Sequence, residues 1–199
     1  MAKLFLHITL GCFFGLCFLA ELAHAQEIEK LNSFSIYQDH KEVINLDSFH
    51  QQKLIVIIFT SSNCSYSLQY QQRLAELYQA FQSQKVTFIA VNSNDPSISG
   101  RDSVSRMHEI SPYPFPYVKD EDQSIARKLK ATTNPEAIVL IPKNGTFQIG
   151  YRGKIDDNPL SAKLVKRHFL RDALTQLLKG NKPSVVKTNP LGCEITWIE

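Results

Sequence analysis

Cysteine, tryptophan and long apolar runs are scarce in this 199-residue chain. Only residues 4–20 form a sustained apolar stretch, which includes His7 and falls short of the roughly 20 residues that a membrane span needs. No His/Cys spacing suits a zinc site, and the lone Asp156-Asp157 pair reads as a solvated turn, so no metal and no cofactor are expected. His40, His50, His108 and His168 read as surface or helix residues rather than bases. The formal net charge of +3 is spread along the chain, without a Lys/Arg run interleaved with aromatics, which excludes a nucleic-acid partner. There are no internal repeats and no low-complexity tracts.

The apolar stretch has the layout of an export signal. Lys3 supplies the positive start, and Ala23-His24-Ala25 places small residues at the two cleavage positions. A basic stop-transfer cluster is missing, and a lipoprotein box at Gly11-Cys12 has too short an apolar segment before it. Cleavage after Ala25 is therefore expected, with export to the periplasm or the exterior and no stable membrane insertion afterwards. Lys3 and Glu21 leave together, so the net charge is unchanged. The expected division is a signal peptide over 1–25, a flexible start over 26–32, one domain over 33–182 and a tail over 183–199. Cys12 and Cys17 leave with the signal, so the mature chain keeps only Cys64 and Cys193. In an oxidising compartment two cysteines can form a disulfide, remain thiols or exchange between the two states.

Hydrophobic periodicity lays out the domain. Residues 34–37 suggest a short strand, and 54–59 is a continuous apolar, β-branched run of the kind buried on both faces. Leu74, Leu77, Tyr78 and Phe81 recur at i, i+3, i+4 and i+7, one face of an amphipathic helix. Residues 86–91 form a second buried strand, completing a right-handed parallel crossover. The polar stretch 92–100 reads as a surface loop, followed by a short helix capped by Asp102. Pro112, Pro114 and Pro116 enforce extended chain, and Asp120 or Asp122 caps a helix through Leu129. Residues 137–141 and 147–151 flank Asn144-Gly145, a strong hairpin turn. Leu170, Leu174, Leu177 and Leu178 mark a last helix closed near Gly180. This order predicts an α/β domain, a central mixed β-sheet flanked by helices on both faces.

Two local sequences carry a resemblance. The junction Phe59-Thr60-Ser61-Ser62-Asn63-Cys64-Ser65-Tyr66 and the stretch Thr133-Asn134-Pro135 resemble the active-site turn and the cis-proline loop of thioredoxin-like redoxins, within the alkyl hydroperoxide reductase/thiol-specific antioxidant superfamily. A subgroup of exported members is also similar in Asn92-Ser93-Asn94-Asp95-Pro96, Ile155-Asp156-Asp157-Asn158-Pro159, His168-Phe169-Leu170-Arg171-Asp172-Ala173-Leu174 and Gly192-Cys193-Glu194-Ile195-Thr196-Trp197. The resemblance implies the thioredoxin fold. It also implies a cis Pro135 that, with Asn134, faces Cys64 and presents backbone groups to a substrate.

The departures bear on chemistry. Redoxins of this kind carry Cys-x-x-Cys in the turn, whereas Ser61 here replaces the first cysteine and only Cys64 remains. A serine cannot form the mixed disulfide of thiol–disulfide exchange, which excludes ordinary dithiol turnover by the motif. Ser61-x-x-Cys64 also resembles the Thr-x-x-Cys of peroxiredoxins. However, the proline expected four residues earlier is Ile57, and no arginine lies within 132–136. Arg127 and Arg152 are near in sequence but are not placed by it. Strand 54–59 lacks the buried acid that many thioredoxins use for proton transfer.

Several readings stay open. Cys64, where a strand meets a helix, is either a reactive sulfur activated by the helix N-terminus or a small buried hydrophobe. Cys193 either resolves an oxidised Cys64, closes a structural bridge, or is an unrelated thiol, with Trp197 anchoring its tail by burying the ring. Ser61 either donates a hydrogen bond to the Cys64 thiolate or supports the turn, and Asn63 could cap the helix. Asn63-Cys64-Ser65 and Asn144-Gly145-Thr146 fit the glycosylation pattern, relevant only in a eukaryotic secretory route. Two functions follow. One is a thiol oxidoreductase or peroxidase acting on peroxide or on protein thiols and disulfides. The other is a catalytically inactive binding module of the same fold.

Overall fold

The computed structural model describes residues 30–38 and 41–199. The expected signal peptide and its cleavage point lie outside them. In chain order the elements are β1 (Lys30–Leu31), β2 (Ser35–Gln38), β3 (Lys41–Asn45), β4 (Leu54–Phe59), α1 (Ser65–Phe81), β5 (Val86–Asn92) and α2 (Val104–Ile110). There follow β6 (Tyr117–Lys119), α3 (Ser124–Leu129), β7 (Thr133–Asn134), β8 (Glu136–Lys143), β9 (Thr146–Gly153), α4 (Phe169–Leu178) and β10 (Cys193–Glu194). The main sheet has the order β1-β9-β8-β4-β5-β6. It is mixed because β4 pairs in parallel with β5 and antiparallel with β8. This is an α/β thioredoxin fold.

The β4 sequence is apolar throughout because both faces of that central strand are covered. Leu54, Val56 and Ile58 enter one core layer with Leu74 and Leu77 of α1 and Leu170 and Leu174 of α4. Ile55, Ile57 and Phe59 enter a second layer with Ile125 and Leu129 of α3 and Ile36 of β2. Each such side chain contributes about 1.5–3 kcal/mol by leaving water. Of the periodic residues of α1, Leu74, Leu77 and Phe81 are buried as the spacing predicts and Tyr78 is half-buried, while Tyr70 joins the buried face from the preceding turn. At the β8–β9 turn, Asn144 (φ 51°) and Gly145 (φ 73°) are both left-handed, the conformation a two-residue hairpin loop needs.

Three local expectations are corrected. Asp102 does not cap α2: the helix starts one residue later with Ser103 at its N-cap, and Asp102 is turned inward and 1% exposed. The stretch beginning at Asn92 is not a surface loop at its start, since Asn92 and Ser93 are fully buried and Asn94 nearly so. Asp156 is not a solvated turn residue. It is buried and accepts hydrogen bonds from the Tyr70 hydroxyl at 2.7 Å and the Arg73 guanidinium at 2.7 Å.

The segments flanking the domain are built into it. Lys30–Leu31, within the stretch expected to be a flexible start, pairs antiparallel with β9. Residues 183–199 are bound along their length rather than trailing. Arg152 N donates to Val186 O, and Thr188 N donates to Arg152 O, both at 3.0 Å. Gly153 (φ 129°) allows this approach, because a Cβ there would lie 2.1 Å from Thr188 O. Further on, β10 pairs antiparallel with β7.

Candidate active site

The central strand β4 delivers the chain to the C-terminal edge of the sheet. There residues 60–63 turn into α1 and Cys64 occupies its N-cap position, without a side-chain cap. Asn63, the residue expected to cap, is exposed. Cys64 itself is 1% exposed. Its sulfur faces the start of a 17-residue helix, whose unpaired N–H groups favour a thiolate. The same sulfur lies 3.2 Å from the Asn134 carbonyl oxygen.

The Asn134–Pro135 peptide is cis, as the resemblance implies. Immediately before it, β7 presents its backbone to β10 in the register Cys193↔Asn134 and Glu194↔Thr133. That pairing carries Cys193 to Cys64, and the two form a disulfide across a sequence separation of 129 residues. Gly192 is required for the approach. A Cβ there would stand 1.9 Å from Asn134 O and 2.6 Å from Asn134 C. Trp197 holds the chain beyond the strand with its ring under the Arg127 guanidinium at 4.8 Å, but the residue remains 37% exposed rather than buried.

Of the two roles open to Ser61, the geometry matches turn support. Its hydroxyl donates to Asp102, with both carboxylate oxygens at 3.0 Å, and accepts from Asn63 N at 3.0 Å. The single hydroxyl proton is thus engaged away from Cys64. Asp102 also accepts from Ser62 N at 2.8 Å, Asn92 Nδ2 at 2.8 Å and Asn94 Nδ2 at 3.2 Å. Asn94 Oδ1 in turn accepts from Asn134 Nδ2 at 2.9 Å, tying this network to the cis-proline loop. Sequence reasoning missed Asp102 as a site residue. Strand β4 contains no acid, and the buried carboxylate arrives instead from the connection between β5 and α2. The one sequence signal was the stretch Asn92-Ser93-Asn94-Asp95-Pro96, part of the resemblance described above.

Electrostatics in this region are governed by burial. The Lys119 ammonium donates to Asn92 Oδ1 at 3.1 Å and to Asn94 O. Burial pulls its pKa down to about 8, against the opposing attraction of Asp102, Asp120, Asp95 and Glu121. Burial also raises the pKa of Asp120, while the Ser93 hydroxyl and the N–H groups of Ala126 and Ile125 oppose the rise. Arg152, one of the two arginines left unplaced by sequence, pairs with buried Glu136 at 2.8 Å. Arg127 lies over Trp197. Among the described residues no group of three His, Cys, Asp or Glu side chains is placed to hold a metal ion. Nor is any helix among them long and apolar enough to cross a membrane.

Solved structures with this architecture include a hypothetical protein of Sinorhizobium meliloti 1021, 24% identical, with a TM-score of 0.76 over 86% of this chain and 94% of that one. An uncharacterized conserved protein from Geobacillus kaustophilus is 27% identical, with a TM-score of 0.76 over 86% of this chain and 92% of its own. A thiol-disulfide oxidoreductase from Bacteroides fragilis NCTC 9343 is 18% identical, with a TM-score of 0.51 over 68% and 97%, a likeness of fold alone. No curated protein sequence matches the chain. Residues 28–158, well over half the chain, match the AhpC/TSA family, and the chain belongs to that family of thioredoxin-like redoxins.

Proposed function

We propose that the protein is an exported thiol oxidoreductase in which Cys64 and Cys193 cycle between dithiol and disulfide. The observation that carries this reading is the Cys64–Cys193 bond itself. It joins the one sulfur left in the redoxin turn to a second sulfur seated beside the cis-proline loop. Cys193 thereby replaces, from the far end of the chain, the partner sulfur that Ser61 cannot supply.

Oxidation by a hydroperoxide ROOH runs in two steps. The Cys64 thiolate attacks the peroxide oxygen, the O–O bond breaks, and the leaving alkoxide takes up the proton that the Cys64 thiol released and departs as ROH, while Cys64 becomes a sulfenic acid. The Cys193 thiolate then attacks the Cys64 sulfur, the S–OH bond breaks, and the departing hydroxide takes up the proton that the Cys193 thiol gave up, so the disulfide forms and water leaves. A disulfide substrate would follow the same order, with a thiol as leaving group. In either case two electrons pass from the cysteine pair to the oxidant, and a thiol reductant must return them.

The test is to reduce the protein, remove the reductant, add a slight excess of hydrogen peroxide, alkylate, and map the cysteines by mass. Rapid return of the Cys64–Cys193 disulfide, together with loss of peroxide consumption in Cys64→Ser, is expected. Two thiols that stay reduced, or full peroxide consumption by Cys64→Ser, would overturn the proposal and leave the binding module.

A further inference from the structure

The chain's own C-terminus lies where an extended polypeptide would have to lie to reach Cys64. Recognition of an extended peptide at a sheet edge works by strand addition, with the peptide backbone pairing to exposed N–H and C=O groups. Next to Cys64 that edge is β7, and β10 already holds it. The pairing continues beyond the strand, as Ile195 N donates to Thr132 O at 2.9 Å. At Gly192 the two backbones touch with no room for even a methyl group between them.

Contacts other than the sulfur–sulfur bond also hold this segment. Ile195 is buried at 3% exposure in the second core layer. Thr196 O accepts from Asp95 N at 3.0 Å and from Gln123 Nε2 at 2.8 Å. Gln123 Oε1 accepts from Ile198 N at 2.9 Å. None of these contacts is made through either sulfur.

Building on the proposed cycling of the pair, we infer that residues 192–196 act as a built-in strand that excludes polypeptides, so that the reductant is a low-molecular-weight thiol. Gly192 is the residue that sets this specificity. Cys193 is partly exposed whereas Cys64 is buried, so the Cys193 sulfur is assigned as the one that the small nucleophile attacks. A small thiolate RS⁻ attacks the Cys193 sulfur, and the electron pair of the broken bond leaves on Cys64 at the start of α1. A second RS⁻ attacks the R-bearing sulfur, releasing RSSR and the Cys193 thiolate. The two thiols lose two electrons to the pair, and their two protons end on Cys64 and Cys193.

The experiment compares reduction of the oxidised protein by dithiothreitol and by an unstructured ten-residue peptide bearing a Cys-x-x-Cys dithiol, read by alkylation and mass. Trp197, the only tryptophan, reports tail docking by its fluorescence. Dithiothreitol is expected to reduce the pair with little change in Trp197 emission. The peptide waits for a minor undocked state and should react about 100-fold more slowly after correction for thiol pKa. Gly192→Ala, which forces the strand off the edge, should raise the peptide-to-dithiothreitol rate ratio about tenfold or more. Gln123→Ala loosens the tail without touching the glycine or either sulfur, and it should move the ratio the same way. Equal rates for the two reductants in the wild type, or a ratio unmoved in both variants, would overturn the inference. Failure of peroxide to re-form the disulfide would instead defeat the proposed cycling, while the rate ratio would still report whether the strand excludes peptides.

Discussion

Replacing Asp102 by alanine should destabilise the protein far more than its loop position in the sequence suggests. The carboxylate is 1% exposed and accepts from Ser61 Oγ, Ser62 N, Asn92 Nδ2 and Asn94 Nδ2. Truncation leaves four buried donors without that acceptor, at about 1–3 kcal/mol for each that finds no substitute. Ser61 and the two asparagines can rotate, but the backbone N–H of Ser62 cannot. Relief of the buried charge offsets part of the loss. The expected cost is about 3–5 kcal/mol. Asp102→Asn keeps one acceptor oxygen and turns an amide toward the remaining donors, so it should lose about half as much. Ser61→Ala in an Asp102→Ala background should add little, because the two share one hydrogen bond. The assay is urea unfolding with the disulfide intact, followed by Trp197 fluorescence and circular dichroism. A loss below about 1 kcal/mol for Asp102→Ala would refute the view that this carboxylate organises the turn.

Two further outcomes follow from the same geometry. Cys193→Ser should lower stability by up to about 5 kcal/mol, the chain-entropy value for a loop spanning 129 residues. Trp197 should keep its native emission in that variant, and an unchanged urea midpoint would contradict the loop-closure account. Lys119 gives a pH signature. Its folded pKa of about 8 lies below its ordinary 10.5, so between those values the unfolded chain binds the extra proton and stability rises with pH. Near pH 10 the trend should reverse, because burial pushes Tyr113 and Tyr151 from 10.0 up to about 12 and the unfolded chain then loses those protons first. Urea midpoints measured across this range should lose the rise in Lys119→Met, and a rise that persists in the variant would assign it to another group.

Whatever is written in local spacing is legible from the residues alone. The run of alternating core contacts in Leu54–Phe59, the helix carrying Leu74, Leu77 and Phe81, and the Asn144-Gly145 turn are all set by the period of a strand, the period of a helix and the tolerance of two residues for positive φ. The turn holding Cys64 and the cis Pro135 were legible only through resemblance to a family, because nothing local distinguishes a cis proline from a trans one. The rest follows from packing between distant parts of the chain. Asp102 reads as a helix cap until β5 and α2 are packed beside the turn, where four buried donors compete for its carboxylate against the exposed helix start. Asn92 and Asp156 read as solvated for the same reason: polarity in a sequence does not say whether partners wait inside. Cys193 meets Cys64 only because β10 finds the edge of β7, a pairing fixed by the path of the whole chain rather than by any residue near either sulfur.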